Sequence, residues 1–131
     1  MILDSSAILA IVLREPDRFR YVDALLAGAP RRMSVANWLE STMVVDRRGS
    51  ALSISHFEEF MRGAAIELMP VSVSQASIAR LAWRTFGRGI HPARLNYGDC
   101  FAYALAKESR EPLLFKGNDF AQTDIEPALK D

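Results

Sequence analysis

Four short runs that read as strands, residues 1–3, 32–35, 66–71 and 112–115, are separated from one another by segments whose apolar residues recur at helical spacing. A chain that alternates in this way returns across the sheet through a helix each time, so successive strands pair in parallel. The predicted architecture is a three-layer α/β/α fold with a mainly parallel central sheet, in one domain spanning residues 1–131. At that length a core can be buried without disulfides or a structural metal.

The first run, Met1-Ile2-Leu3, ends on Asp4, and Ser5-Ser6 is predicted as a polar turn into the apolar helix of residues 7–13. Pro16 disfavours helix at Glu15 and can open the next helix, carried by Phe19, Val22, Leu25 and Leu26 and closed by Gly28-Ala29-Pro30. After the weak strand at 32–35, Ala36, Leu39 and Met43 are predicted to form the core face of a helix, with Glu40 at its edge. Further helices are predicted over 54–66 and from Ser74 to Gly87, and a basic Gly/Pro loop then leads to a helix opening at Asn96-Tyr97-Gly98-Asp99. Beyond the last strand come Lys116-Gly117-Asn118-Asp119 and a polar tail, Asp124-Ile125-Glu126-Pro127.

Sixteen basic and sixteen acidic residues cancel, so attraction to a polyanion would have to come from local clusters. The candidates are Arg31-Arg32, Arg47-Arg48, Arg84, Arg88, Arg94 and Lys116, each of which also fits an ordinary solvated surface. Cys100 is the only cysteine, which excludes an intrachain disulfide, and its apolar neighbours make it a buried, inert thiol. The apolar start lacks a basic region before it and contains Asp4, unlike a signal peptide. No run approaches the roughly 18 apolar residues of a membrane span, and the predicted location is cytoplasmic.

Four carboxylates stand where a parallel sheet could collect them. Ligands of such sheets bind outside the carboxyl ends of the strands; Asp4 follows the first strand, Asp119 follows the last, and Glu40 and Asp99 lie on helices entered from strand or loop. Each also has a purely structural explanation. Asp4 suits a helix N-cap, Asn96 and Asp99 a capping box, Glu40 a helix surface, and Asp119 a turn. Gathered at one edge, they would need neutralising charge, and an all-oxygen set without paired His or Cys suits Mg²⁺ or Mn²⁺. His56 and His91 have no metal-ligand spacing, which argues against zinc.

The strings Ile2-Leu3-Asp4-Ser5-Ser6-Ala7, Asn37-Trp38-Leu39-Glu40-Ser41, Asn96-Tyr97-Gly98-Asp99-Cys100 and Lys116-Gly117-Asn118-Asp119-Phe120 closely resemble those of the PIN-domain ribonucleases, and more narrowly the VapC toxins of bacterial toxin-antitoxin pairs. The resemblance covers nearly the whole chain. It implies a PIN-like fold, a Mg²⁺- or Mn²⁺-dependent endoribonuclease acting on RNA, a homodimer, and inhibition by a VapB-type antitoxin. On this basis Asp4 and Asp99 are central metal ligands, with Glu40 and Asp119 binding directly or through water, and Ser6 orients Asp4 or reaches the site through water. The chain departs from the family at Gly117, where many relatives carry Asp, so the fourth carboxylate rests on Asp119. An antitoxin groove is expected along the early helices at Phe19, Tyr21, Val22, Leu25 and Trp38.

Other classes that place acids at strand ends fit less well. A haloacid-dehalogenase-type phosphatase needs a second Asp two residues after the first, where Ser6 stands, and a receiver domain needs an early acidic pair that Asp4 alone does not provide. The non-enzymatic alternative is a catalytically inactive PIN-like interaction module.

Overall fold

The computed structural model describes residues 1–28 and 30–130; Ala29, placed by sequence in the break after the second helix, lies outside them. Among the described residues the chain forms β1 (Ile2–Leu3), α1 (Ser5–Val12), α2 (Arg18–Ala27), β2 (Arg32–Ser34), α3 (Val35–Arg48) and α4 (Ala51–Gly63). There follow β3 (Glu67–Met69), α5 (Val73–Phe86), α6 (Tyr97–Ser109), β4 (Leu113–Leu114) and a 3₁₀ turn at Phe120–Gln122. The strands pair in the order β3-β2-β1-β4, all in parallel, with Ile2 opposite both Arg32 and Leu113.

Alternation along the central strands builds the layers. Ile2 and Leu113 face a core shared with α5 and α6, including Ala82, Leu95 and Leu105, whereas Leu3 and Leu114 face one shared with α1 to α4, including Ile8, Leu25, Val45 and Phe57. All four strand residues are fully buried, as expected when helices cover both faces of a parallel sheet. The three-layer α/β/α fold with a parallel sheet is therefore as the sequence predicts.

Several local expectations fail. Ser5-Ser6 is not a turn, because Asp4 caps α1 directly and both serines enter its first turn. In α3 the buried positions are Asn37, Ser41 and Val45, while Leu39 and Met43 are 51% and 62% exposed. The helix thus turns a largely polar stripe inward and leaves its apolar stripe outside, the reverse of what hydrophobic periodicity implies. Phe19 and Leu26 of α2 are likewise exposed, and Tyr21 and Leu25 are the residues that enter the core.

The polar tail expected after β4 is also part of the structure. Leu113 donates its amide to the Glu126 carbonyl at 2.9 Å and accepts from the Ala128 amide at 2.8 Å, so the tail covers the outer edge of β4. Ile125 is buried beside it, and Asp124 accepts from the Tyr103 hydroxyl at 2.6 Å and pairs with Lys107 at 2.7 Å. Truncating Ile125 to Ala should therefore cost about 2–4 kcal/mol of folding stability. Chemical denaturation of the variant checks this, and a change below about 0.5 kcal/mol, the range of surface substitutions, would mean the tail adds nothing to the core.

Candidate metal and active site

Because the strands are parallel, their carboxyl ends share one edge, and the sequence places polar residues at the exits of β1 and β2 and in the loop after β4. Asp4 leaves β1 and caps α1, Ser34 ends β2 and caps α3, and the loop after β4 carries Gly117 and Asp119. The start of α6 reaches the same edge through Asn37, whose side-chain amide donates to the Gly98 carbonyl at 2.9 Å. Glu40, one turn further along α3, lies against Gly98, where even a Cβ would collide with its carboxylate. Glycine is required at 98 for close approach, and at 117 for conformation, since Gly117 has φ +102°. On that backbone an Asp would be strained.

Three of the acids share one pattern: one oxygen is held by a donor, and the other accepts no hydrogen bond among the described residues. Asp4 Oδ2 accepts from the Ser6 amide at 3.1 Å and the Ser6 hydroxyl at 2.5 Å. Glu40 Oε1 accepts from the Ser5 hydroxyl at 2.7 Å. Asp99 Oδ2 accepts from the Asn96 amide at 2.9 Å, while Asn96 Oδ1 accepts from the Asp99 amide at the same distance, completing a capping box. The structural and functional explanations of Asp4 and Asp99 are thus compatible, since each cap uses only one carboxylate oxygen. Asp119 is exposed and makes no capping bond to the 3₁₀ turn that follows it.

Charge and burial act together on this group. Burial, opposed by the Ser6 bonds and reinforced by the charge of Glu40, raises the Asp4 carboxyl to about 6. Burial also raises Asp99, to about 7, with added repulsion from Asp4, Asp119 and Glu40. The four acids singled out by sequence therefore form one electrostatic group, although Asp119 joins it through charge and not through contact. Among the described residues, no three His, Cys, Asp or Glu side chains already converge on one point. The oxygen-only set with unpaired oxygens and mutual repulsion nevertheless fits a hard divalent cation.

The supporting residues were harder to find by sequence. Ser6 orients Asp4, as expected, and also accepts from the Lys116 amide at 2.9 Å, tying the β4 loop to the site. Asn37, Ser5 and Ser41 were missed: the Asn37 carbonyl lies 3.1 Å from the Ser5 hydroxyl and accepts from Ser41 at 2.9 Å. The available signal was an amide three residues before Glu40, hence on the same helical face.

Three expected phosphate ligands are engaged elsewhere. Arg31 donates to the Leu25 and Ala64 carbonyls, Arg32 pairs with Glu111 at 2.7 Å, and Lys116 pairs with Glu15 and Asp17. Those carboxylates hold the Lys116 ammonium well above its usual range. Cys100 is buried, and burial together with the charge of Asp99 pushes its thiol up to about 11, which agrees with an inert role.

A parallel α/β/α sheet whose carboxyl edge gathers acids on both sides of the first strand defines a class of acid-centred α/β proteins. A PIN-domain family model matches residues 1–126, and the chain belongs to the PIN-domain family. Within it the chain groups with the VapC ribonucleases. It is 46% identical to ribonuclease VapC30 of Mycobacterium tuberculosis over 125 residues, 95% of each chain. It is also 46% identical to ribonuclease VapC28 of the same species over 130 residues, 98% of each chain. Among solved structures, M. tuberculosis VapC20, described as a sarcin-ricin loop cleaving toxin, superposes with a TM-score of 0.70 at 16% identity, covering 95% of each chain. A toxin-antitoxin complex from Klebsiella pneumoniae gives a TM-score of 0.68 at 17% identity, covering 94% of this chain and 92% of that one. At such identities these structures support the fold.

The raised carboxyls fix the sign of a stability change with pH. A carboxyl whose pKa is higher folded than unfolded binds more protons in the folded state. The contribution of Asp4 and Asp99 is therefore fully present below about 3.8 and is lost as pH rises through about 6 and about 7. Metal-free protein should lose melting temperature between pH 5 and pH 8, and Asp99→Asn should flatten this loss. A variant with the same pH dependence as the wild type would show that burial and the neighbouring acids do not raise the Asp99 carboxyl in the folded protein.

Proposed function

We propose that the chain is a Mg²⁺- or Mn²⁺-dependent endoribonuclease, the toxin of a type II toxin-antitoxin pair, cleaving RNA and inhibited by a VapB-type antitoxin. The observation that carries the reading is the set of carboxylates Asp4, Glu40 and Asp99, each anchored through one oxygen with the other left to bind. Family membership and the names of the VapC relatives support the reaction class.

Asp4 and Asp99 would hold the cation, with Glu40 and Asp119 binding directly or through water. A bound divalent ion supplies a water of lowered pKa and charge to offset the phosphodiester anion and its leaving oxygen. The protein's own contribution is order: Ser6 holds Asp4, Ser5 holds Glu40, and the Asn96 cap holds Asp99, so each carboxylate is already oriented before a cation draws them together.

The similarity to a toxin-antitoxin complex supports an antitoxin partner. Of the residues expected to line the groove, Tyr21 and Leu25 are core residues, Phe19 is exposed, and Trp38 lines a cleft between α3 and α4 together with Ile54, Met61, Thr42, Asp46, Glu58 and Arg62. Such a mixed cleft suits an amphipathic helix that brings both apolar and charged side chains. The exposed stripe Val35, Leu39 and Met43 offers a surface for a second copy, as a homodimer requires. Among the described residues no helix is long and apolar enough to cross a membrane.

Cleavage of RNA by purified protein, with and without chelator, tests the reading. Activity undiminished in excess chelator removes the metal mechanism, and no cleavage with Mg²⁺ or Mn²⁺ leaves the inactive interaction module. Asp4→Asn and Asp99→Asn should lower the rate by orders of magnitude at any metal concentration. Asp119→Asn should regain much of it at high Mn²⁺, because mass action refills a weakened but intact site; equal, unrescued losses in all three would overturn this ranking.

Gly98→Ala separates site geometry from stability. Ala is at least as good a helix former as Gly, and the clashing group is the mobile end of Glu40. The variant should melt no lower than wild type yet lose activity through displacement of Glu40 from Ser5, so wild-type cleavage would remove Glu40 placement from the mechanism.

A further inference from the structure

An RNA substrate needs cations and flat surfaces near the cut, and Arg31, Arg32 and Lys116 are spent on structure. Beside the first turn of α6 lies a groove of about 650 Å³, within the range of small-ligand sites. Trp83 and Phe101 line it, Tyr97 stands at its rim with 80% of its surface exposed, and Arg80 and Arg88 complete the walls. Neither arginine has an ion-pair partner among the described residues, and no acid lines the groove.

The aromatic walls are held in place. The Trp83 ring rests on Gly87, where a Cβ would come within 2.7 Å of it, and Tyr97 and Phe101 meet edge to face at 4.8 Å. Arg88 is fixed by its backbone, which donates to the Leu95 carbonyl at 3.0 Å. The groove also adjoins the acids: Asn96 lines it and is the residue that caps Asp99.

We propose that this α5–α6 groove seats an unpaired RNA base next to the cut phosphate, stacked on Trp83 with Arg80 and Arg88 on the neighbouring backbone. Aromatic rings and guanidinium groups are the usual partners of splayed-out single-stranded bases. A second copy is a poorer occupant, because a twofold interface centred here would bring Arg80 and Arg88 of both copies together without a compensating acid. The proposal rests on the ribonuclease reading and specifies how that site takes a single-stranded substrate.

The test is binding of fluorescently labelled oligouridine and oligoadenosine RNA to the full-length chain in chelator, measured by anisotropy alongside metal-dependent cleavage. Trp83→Ala should weaken binding roughly tenfold or more, the loss expected for a stacked base, and Trp83→Phe should recover most of it. Arg80→Ala with Arg88→Ala, both changes at exposed positions, should lower the salt slope of binding by about 0.7 for each phosphate that is no longer neutralised. Unchanged affinity and salt slope in these variants, with wild-type cleavage intact, overturns the groove alone. A shift in sedimenting mass without a change in RNA affinity assigns the groove to self-association and also overturns it. A wild-type chain that neither binds nor cuts RNA overturns the ribonuclease reading itself.

Discussion

Asn37 holds the site together. Its amide reaches from α3 to the Gly98 carbonyl at the start of α6, while its own carbonyl receives Ser41 and lies within reach of Ser5 on α1. Three helices from the two faces of the sheet are thereby fixed at one edge, and each carries or adjoins one of the acids. The arrangement has a cost, because Asn37 Oδ1 is buried without a hydrogen-bond partner among the described residues, which is worth about 1–3 kcal/mol. A polar stripe faces inward on α3 because the bonds available there are those that set Glu40 beside Gly98.

The same edge concentrates negative charge, and among the described residues no basic side chain is bonded to the three central acids. Hydroxyl and backbone donors at Ser5, Ser6 and Asn96 relieve part of the repulsion, each at one oxygen. Burial prevents water from relieving the rest, which is why Asp4 and Asp99 are held so far above ordinary carboxyls. Arginines stand outside this centre, at the α5–α6 groove. The surface therefore divides into an acidic centre suited to a cation and an adjoining cationic, aromatic wall suited to nucleic acid.

The sequence by itself determined the sheet and the acids. Short apolar runs separated by helices leave little choice but parallel pairing, and a parallel sheet sends every strand exit to the same edge. Asp4, Asp99 and Asp119 could be named because an acid beside a strand exit or at a helix start is visible in the linear order, and Glu40 because it borders an apolar helical stripe within a string that resembles the family's. Tertiary structure decided which face of α3 turns inward, that the tail closes β4, and which cations remain available. Periodicity ranks faces by apolarity, and it misjudged α3 because Asn37 and Ser41 are buried through hydrogen bonds, not hydrophobicity. Nor could linear order predict that Lys116 would meet Glu15 and Asp17, or that Gly98 would make room for Glu40, since these pairings join residues far apart in the chain and exist only once the layers have packed.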